Sequence, residues 1–324
     1  MTITPEIELD ITDETSKRRI SYTQYSMWST CPYQWDQIYE KKVIPRISNI
    51  TLVFGTTIHE TLQYWIQLLQ VDPKKAKYVD LGEYFKDKFA ENIKSELGDQ
   101  LKNKKISAFS FFEHCEDAEN ILNYCQQHLP KTYFPDGYVL EGIETELKVD
   151  LSPGVEFTGF IDMVLKDPKT GKFYIYDFKT SKFGWGDFQK KSSIKSDQLR
   201  LYKKYYSDLF QVPLQSIEIF FLILKRKISE TAEYRSQKSY IAKFIPPHAN
   251  ISIKQTEERF NKFLSIFDEK TGQIRKSAVL PAKPSESGCQ YCPLSENQEL
   301  CPYSMKLPNY KRKIFMAGVN NILS

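Results

Sequence analysis

The feature that most constrains the fold is a pair of apolar stretches, at 155–166 and 172–179, whose side chains alternate with a period of two. Such alternation predicts two β-strands, and the Asp-Pro-Lys-Thr-Gly segment between them predicts a tight turn. A four-residue loop at 168–171 makes the numbers of paired residues add up to 339. That register places Asp162 directly opposite Asp177, with Cβ atoms about 4.5–5.5 Å apart on one face of the hairpin.

Two carboxylates on one face of this hairpin predict a bound cation. The neighbours Ile161, Met163 and Phe178 are apolar, so both carboxylates are expected to be partly buried. Like charges at that distance repel, and one carboxyl must stay protonated unless a cation lies between them. Oxygen ligands favour Mg²⁺ or Mn²⁺, and Lys179, on the same face as Asp177, could stabilise developing negative charge. The alternative is a surface hairpin with two solvated aspartates, which the apolar neighbours disfavour.

The rest of the chain predicts an α/β protein with helices first and strands later. Apolar residues at helical spacing predict helices near 54–70, 80–97, 110–128, 196–210 and 251–268. Alternating stretches predict further strands at 138–149, 217–224 and 240–245. Residues 1–18 are acidic and polar and are expected to form a disordered leader.

Composition excludes several classes of protein. Hydrophobic residues make up 41% and aromatic residues 14%, so the chain can bury a core and is not globally disordered. No apolar run reaches 18 residues and the N-terminus is polar, so neither a transmembrane helix nor a signal peptide is expected. We therefore expect a cytoplasmic protein with reduced, metal-bound or catalytic cysteines. The net charge of +4 is too small to indicate a nucleic-acid partner by itself.

Two of the six cysteines, Cys289 and Cys292, lie at a chelate spacing. Two residues between cysteines are typical of both zinc sites and iron–sulfur clusters, so the spacing leaves the two open. Cys115 and Cys125 lie in the predicted helix at 110–128, where packing in the core is the favoured interpretation.

The aspartate pair also resembles the motif of a known family. Gly159-x-x-Asp162 followed by Asp177-x-Lys179 resembles the core pattern of PD-(D/E)XK nucleases, with Asp in place of the more usual Glu. The resemblance implies a restriction-endonuclease-like core, in which a central mixed sheet is flanked by helices. It also implies metal-dependent hydrolysis of phosphodiesters.

Two further motifs resemble the RecB-like branch of that superfamily. Gly55-x-x-x-His59 is similar to the Gly-x-x-x-His helix motif of the branch. Gln198-x-x-x-Tyr202 is similar to its Gln-x-x-x-Tyr motif. The motifs follow the order of the family over residues 21–303, which is most of the chain.

Four cysteines extend the resemblance. Cys31 together with Cys289, Cys292 and Cys301 is similar to the split iron–sulfur site of the RecB-like branch, found in CRISPR-associated RecB-like exonucleases. The resemblance implies a structural [4Fe–4S] cluster that joins the two ends of the chain over the nuclease core. Zinc is the alternative, because a tetrahedral four-cysteine site is also a common structural solution.

The resemblance implies roles for the motif residues. His59, Asp162 and Asp177 would hold the Mg²⁺ or Mn²⁺ ion, with the backbone carbonyl of Phe178 as a further ligand. The implied catalytic residues are Asp162, Asp177, Lys179, Gln198 and Tyr202. The alternatives are a histidine satisfied in the core for His59 and an amide at the edge of the core for Gln198.

A basic segment follows the predicted active-site strand. A run of lysines is usually a solvated face, but beside a phosphate-cleaving site it is expected to follow a DNA backbone, and a tryptophan could stack on a base. The expected nucleic-acid-binding residues are Trp185, Lys190, Lys191, Lys195 and Arg200.

These features together predict a metal-dependent DNA exonuclease that acts on single-stranded or frayed ends in recombination, repair or CRISPR-type DNA processing, with proteins of those pathways as partners. Two alternatives remain open: a catalytically inactive iron–sulfur DNA-binding adaptor and a zinc-containing RNA-processing nuclease. After the leader, the expected divisions are a helical region at 19–135, the nuclease core at 136–270, and an iron–sulfur region with a basic tail at 271–324. The expected setting is the cytoplasm of a prokaryote, or of a host cell for a viral protein.

Overall fold

In the computed structural model, a six-stranded mixed sheet lies between two groups of helices. The structure describes residues 17–44, 48–102, 106–228 and 238–306. Residues 1–16 of the predicted leader, and most of the predicted basic tail, therefore lie outside the described residues.

The central strand of the sheet is β3, which pairs with three others. The strands are β1 (Arg18–Ile20), β2 (Val139–Ser152), β3 (Val155–Lys166), β4 (Phe173–Ser181), β5 (Ile217–Lys225) and β6 (Ile241–Phe244). β2 and β4 run antiparallel to β3, while β1 runs parallel to the start of β3. β5 lies parallel to β4, and β6 is antiparallel to β5. The five predicted strands are therefore confirmed, with small shifts at their ends.

β1 corrects one prediction. Arg18, the last residue of the predicted leader, begins this strand and is aligned with Val155. Its backbone N–H donates a 2.9 Å hydrogen bond to the carbonyl of Gly154. A short polar strand like this one has no periodic signal, because its order comes from a partner more than a hundred residues away.

Ten α-helices lie in the described ranges. They are α1 (Tyr22–Thr30), α2 (Pro32–Trp35), α3 (Ile50–Val71), α4 (Pro73–Tyr78), α5 (Leu81–Lys102), α6 (Ala108–His128), α7 (Asp187–Lys191), α8 (Ser193–Phe210), α9 (Asn250–Leu264) and α10 (Glu286–Gln290). The five predicted helices are confirmed, but α3 begins four residues early because the Asn49 side chain accepts hydrogen bonds from two backbone amides of its first turn. Among these helices, none combines the length and apolar character needed to cross a lipid bilayer.

Each face of the sheet carries its own core. α3, α5 and α6 cover one face around Trp65, and α1, α8 and α9 cover the other around Tyr25. Along β4, Ile175 belongs to one core and Tyr176 to the other, as expected where successive side chains point to opposite faces. α3 and α8 therefore approach β3 and β4 from opposite sides.

Candidate active site

The β3–β4 hairpin separates where the two predicted aspartates lie. The predicted register is confirmed from the turn as far as Met163 opposite Tyr176, and the ladder ends there, one pair before Asp162 and Asp177. In place of a further strand bond, the backbone N–H of Phe178 donates a 2.6 Å hydrogen bond to Asp162 Oδ2. The Asp162 carboxylate is thus fixed in the gap between the strands.

Asp177 lies deepest in the site, with only 2% of its surface exposed. Gln198 Nε2 donates a 2.8 Å hydrogen bond to Asp177 Oδ1, and Lys179 Nζ lies 2.7 Å from Asp177 Oδ2. Each oxygen of the buried Asp177 carboxylate therefore contacts one donor group, the Gln198 amide at Oδ1 and the Lys179 ammonium at Oδ2. Burial raises the pKa of Asp177 to about 6; Lys179 opposes that shift and Asp162 adds to it.

His59 reaches the same place from α3. Its Nδ1 lies 3.5 Å from Asp162 Oδ2, and its side chain is partly buried. Burial alone lowers the pKa of His59, but the Asp162 carboxylate raises it above its usual value. Burial likewise raises the pKa of Asp162, but His59 and then Lys179 bring it below its usual value. The imidazole and the carboxylate therefore stabilise each other's charged forms.

Gln198 and Tyr202 lie one helical turn apart on α8. The Gln198 amide also donates to the Tyr202 hydroxyl at 3.3 Å, so the helix presents a small hydrogen-bonded pair to the carboxylates. Gln198 therefore contacts the Asp177 carboxylate directly.

Two glycines of the sequence motifs allow these elements to approach closely. A Cβ atom on Gly159 would lie 2.9 Å from Cε1 of Tyr202, too close for a packed ring. A Cβ atom on Gly55 would lie 3.1 Å from Oγ1 of Thr180 in β4. Glycine at these positions lets α8 lie against β3 and α3 lie against β4, which brings Tyr202 and His59 to the same end of the sheet.

β2 contributes Glu144, a residue that the sequence analysis did not single out. The residue pairs on either side of it place Glu144 opposite Asp162, and its φ of +48° is unusual for a residue other than glycine. Gln63 of α3 donates a hydrogen bond to its carboxylate. Burial, and then Asp162, raise the pKa of Glu144. The β2–β3 register depends on irregularities in β2, so the sequence holds no simple signal for this contact.

The four cysteines of the predicted cluster line one small cavity. Cys31 caps α2, Cys289 lies in α10, and Cys292 and Cys301 lie in the turns that follow. Burial and, to a lesser extent, the other three thiols together raise the pKa of Cys292 to about 11. The four thiols are therefore near neighbours across the two ends of the described chain.

Cys115 and Cys125 are separate from this cavity. Cys125 is fully buried in the core beneath α6, where burial raises the pKa of its thiol, and Cys115 packs against the same core. The prediction of core packing is confirmed for both.

The donor set of the carboxylate site fits a hard divalent cation. Within the described ranges, no group of three or more His, Cys, Asp or Glu side chains is arranged to hold a metal ion, at the carboxylates or at the cysteines. The fit rests instead on the chemistry of the donors: Asp162 and Asp177 are two buried carboxylates close enough for Asp162 to raise the pKa of Asp177. Mg²⁺ and Mn²⁺ prefer such oxygen ligands.

The predicted nucleic-acid-binding residues lie in different surroundings. Lys190 and Lys191 are exposed on α7. Lys195 is partly buried, with Nζ 4.9 Å above the ring of Trp185. Trp185 itself packs against Phe221, at a centroid distance of 5.0 Å. Lysines of this segment are therefore presented to solvent, while the tryptophan is largely used for packing.

Arg200 corrects the prediction made for it. Its side chain is buried, with Nε donating to the Pro247 carbonyl at 2.7 Å and Nη1 donating to Asp197 Oδ1 at 3.2 Å. Asp197 also accepts hydrogen bonds from Tyr25 and Arg259, so Arg200 belongs to a buried network that joins α8 to α1 and α9. Burial and these internal hydrogen bonds disfavour the predicted contact of Arg200 with a DNA backbone.

Comparison with known proteins identifies the family. The sequence profile described as the PD-(D/E)XK nuclease superfamily matches residues 19–301, nearly the whole of the described chain. The chain belongs to the PD-(D/E)XK nuclease superfamily. Membership implies that this PD-(D/E)XK protein is a metal-dependent nuclease with a nucleic-acid substrate. Nucleases of the superfamily usually use Mg²⁺ or Mn²⁺. The mixed sheet flanked by helices is consistent with the core of the superfamily.

The other comparisons add little. A solved structure described as "Crystal structure of SSO0001" is similar with a TM-score of 0.28 and 14% identity, over 88% of this chain and 96% of that chain. At that TM-score the likeness supports no argument about this PD-(D/E)XK nuclease. No curated protein matches the chain.

Proposed function

We propose that this PD-(D/E)XK nuclease is a DNA exonuclease of the RecB-like branch that acts on single-stranded or frayed DNA ends. The observation that carries the proposal is the meeting of Asp162, Asp177 and Lys179 where the β3–β4 ladder ends. Two carboxylates buried side by side are costly unless a cation or a proton offsets their repulsion. His59, from the Gly-x-x-x-His helix, supports the choice of branch.

The ion would be held by His59, Asp162, Asp177 and the carbonyl of Phe178. When bound, a divalent ion supplies a Lewis acid that lowers the pKa of a water molecule and neutralises charge on the phosphate. The chain's own residues do the rest: the Phe178 amide fixes Asp162, and Gln198 fixes the other carboxylate, so both are held before substrate arrives.

Lys179 is the residue that would contact the reacting phosphate. Its side chain is about one-third exposed and reaches from the floor of the site, where it pairs with Asp177, to the surface. A positively charged amine in this place stabilises the negative charge that develops on the phosphate oxygens. The Tyr202 hydroxyl accepts a hydrogen bond from the Gln198 amide, and so helps to hold that amide against Asp177.

The four-cysteine cavity would hold a [4Fe–4S] cluster with a structural role. Contacts already join the two ends of the described chain here: Tyr33 N–H donates to the Pro281 carbonyl at 3.2 Å, and the Tyr33 hydroxyl donates to the Leu300 carbonyl at 2.9 Å. A cluster bound by Cys31 and the three later cysteines would close this connection covalently. Zinc in the same cavity, with RNA as substrate, is the competing proposal.

The biological setting is proposed from the branch alone. RecB-like nucleases with this cysteine arrangement suggest recombination, repair or CRISPR-type DNA processing in the cytoplasm, with proteins of those pathways as partners. An inactive DNA-binding adaptor is the second proposal, and the presence of every acidic and basic motif residue disfavours it.

One preparation tests these proposals together. Protein purified without oxygen is analysed for iron, zinc and visible absorbance, and is then incubated with end-labelled single-stranded DNA, duplex DNA or RNA, with Mg²⁺ or Mn²⁺. We expect a brown, iron-containing protein that degrades single-stranded DNA from an end. A colourless zinc protein that degrades RNA alone would support the competing proposal.

Matched variants separate the nuclease from the adaptor. Asp177→Ala and Lys179→Ala should each abolish cleavage. Asp136→Ala and Lys169→Ala are the controls, because Asp136 and Lys169 form an exposed ion pair at the turn end of the hairpin, away from the site. An inactive wild-type protein that still binds DNA would indicate the adaptor.

A further inference from the structure

The segment that follows β4 exposes two aromatic rings. Phe183 is 70% exposed and Phe188 is 76% exposed. Both belong to a stretch of ten residues, 182–191, that begins directly after the active-site strand. Single exposed apolar residues are common on protein surfaces and need no explanation. Here, however, two exposed rings lie on one short segment directly after the strand that carries Asp177 and Lys179.

This segment is fixed next to Lys179. The Ser181 hydroxyl donates a 2.9 Å hydrogen bond to the carbonyl of Gly184, which has a left-handed φ of +95° and makes a tight turn. Trp185 then turns inward onto Phe221, and Lys179 Nζ lies 6.0 Å above the same Phe221 ring. Because Trp185 is held in this way, the backbone that carries the two exposed rings has a defined position relative to the site.

The segment also carries unpaired positive charge. Lys182, Lys190 and Lys191 are exposed, and none forms an ion pair with any residue in the described ranges. Lys182 Nζ lies 5.3 Å above the ring of Phe183. The same stretch contains a single carboxylate, Asp187, so it is positively charged overall.

We propose that Phe183 and Phe188 form a stacking platform for unpaired bases of the DNA strand that enters the active site, while the neighbouring lysines contact its phosphates. The occupant is a single strand because unpaired bases can offer their faces to aromatic rings along the whole strand, whereas an undistorted duplex offers them only at its ends. Exposed rings with lysines on both sides of them in sequence match the two parts of such a strand, its apolar base faces and its charged backbone. This proposal rests on the proposed nuclease function, because the strand is taken to be the substrate of the active site.

The spacing along the chain limits how far the platform lies from the site. Phe183 follows Lys179 by four positions, so their Cα atoms lie at most about 14 Å apart. That is the length of about four stacked nucleotides, at about 3.4 Å each. A base on the platform and a phosphate beside Lys179 would therefore belong to the same short strand, and the platform would set which phosphate is presented for cleavage.

Binding measurements on the full chain test the platform separately from catalysis. The Asp177→Asn protein is titrated, by fluorescence anisotropy, into a labelled dT15 strand, the same strand with abasic sites in place of its bases, and a 15-base-pair blunt duplex. Phe183→Ala and Phe188→Ala should each weaken binding of dT15 by about fivefold or more, the lower end of base-stacking effects. Neither should weaken binding of the abasic strand or the duplex by more than about twofold.

Two further sets of variants identify the contact. Phe183→Tyr with Phe188→Tyr should retain binding of dT15, because tyrosine can also stack. Lys190→Gln with Lys191→Gln should weaken binding of all three probes and reduce the salt dependence of binding by about one to two units of log–log slope. Tyr78→Ala is the matched control: Tyr78 is 78% exposed with a lysine above its ring, but it lies on α4, beyond the far end of α3, and its loss should change nothing.

Each outcome decides the proposal. It is overturned if the alanine variants bind dT15 like the parent protein, if they lose the same affinity for the abasic strand, or if the parent protein binds no single strand. A change in oligomeric state with unchanged binding also overturns it, because the rings would then be a contact between copies. Cleavage by the wild-type protein with no platform effect would refute the platform alone, and a platform effect without cleavage would refute the nuclease alone.

Discussion

The backbone N–H of Phe178 donates a 2.6 Å hydrogen bond to the side chain of Asp162 at the point where the β3–β4 ladder ends. This bond has two consequences. It removes rotational freedom from the Asp162 carboxylate, and it gives the Phe178 amide a side-chain acceptor where the backbone ladder has ended. The site is therefore organised by backbone geometry before any ion or substrate binds.

We expect Asp177→Asn to stabilise the metal-free protein while abolishing cleavage. The pKa of Asp177 is raised from about 4 to about 6, so its ionised form is less stable in the folded protein than in the unfolded chain. The folded state binds the extra proton, so this group favours folding most at low pH, and that contribution is lost as the pH rises through about 6.

Urea unfolding of metal-free wild type and Asp177→Asn, at pH 4 and pH 8, checks this prediction. At pH 8 the variant should have a free energy of unfolding higher by about 1–3 kcal/mol, from about 1.4 kcal/mol per unit of pKa shift. At pH 4 the difference should be small. A variant less stable than wild type at pH 8 would contradict the raised pKa.

Metal binding should strengthen as the pH rises. Metal ligands must lose their protons, and in the metal-free protein both Asp177 and His59 have pKa values above their usual ranges. Calorimetric titration with Mn²⁺ from pH 5 to pH 8 should show affinity increasing by up to about tenfold per pH unit for each proton displaced, and then reaching a plateau. An affinity that does not depend on pH would mean that neither group binds the ion.

Gln198→Ala should reduce activity through Asp177. The Gln198 amide is the hydrogen-bond donor to Asp177 Oδ1, and loss of a group that orients a metal ligand typically reduces metal affinity or activity by about 10- to 100-fold. The readouts are cleavage rate and Mn²⁺ affinity, measured on the same preparation. Gln126→Ala is the control, because Gln126 is a partly buried amide that donates only to backbone carbonyls near α4. Equal effects of the two substitutions would argue for a purely structural role.

Gly159→Ala tests the close approach of α8 to β3. The new Cβ atom would meet the Tyr202 ring at 2.9 Å, and overpacking of this kind usually destabilises a protein by about 1–3 kcal/mol. The variant should unfold at a lower temperature than wild type. It should also cleave more slowly, because Tyr202 and Gln198 lie on the same helix. Gly98→Ala in α5 is the control, since nothing lies within 4 Å of its Cβ position, and it should leave stability unchanged or raise it.

Local features of the site could be predicted, and long-range ones could not. The pairing of β3 with β4 follows from a short turn, so its register was predicted as far as Met163. The same reasoning predicted that strand pairing continues through Asp162 and Asp177, whereas in the structure the pairing ends one residue pair earlier. Nothing in the alternation of apolar residues signals that a side chain replaces the next strand bond.

Arg200 shows a second limit of pattern-based reasoning. Several lysines surround it in sequence, which favoured an exposed basic face. Its burial depends on Asp197 one turn earlier and on Arg259, which arrives from α9 about sixty residues later. Similarly, Glu144 lies opposite Asp162 because of irregularities within β2 that have no signature in composition or period.

The most direct test of the central claim is a crystal structure of the protein soaked in Mn²⁺, with diffraction recorded at the manganese absorption edge. The account predicts one strong anomalous peak between the two aspartates, with oxygen atoms of Asp162 and Asp177 about 2.1 Å from it. A fully loaded crystal with no peak there, or with manganese bound only elsewhere, would contradict the account.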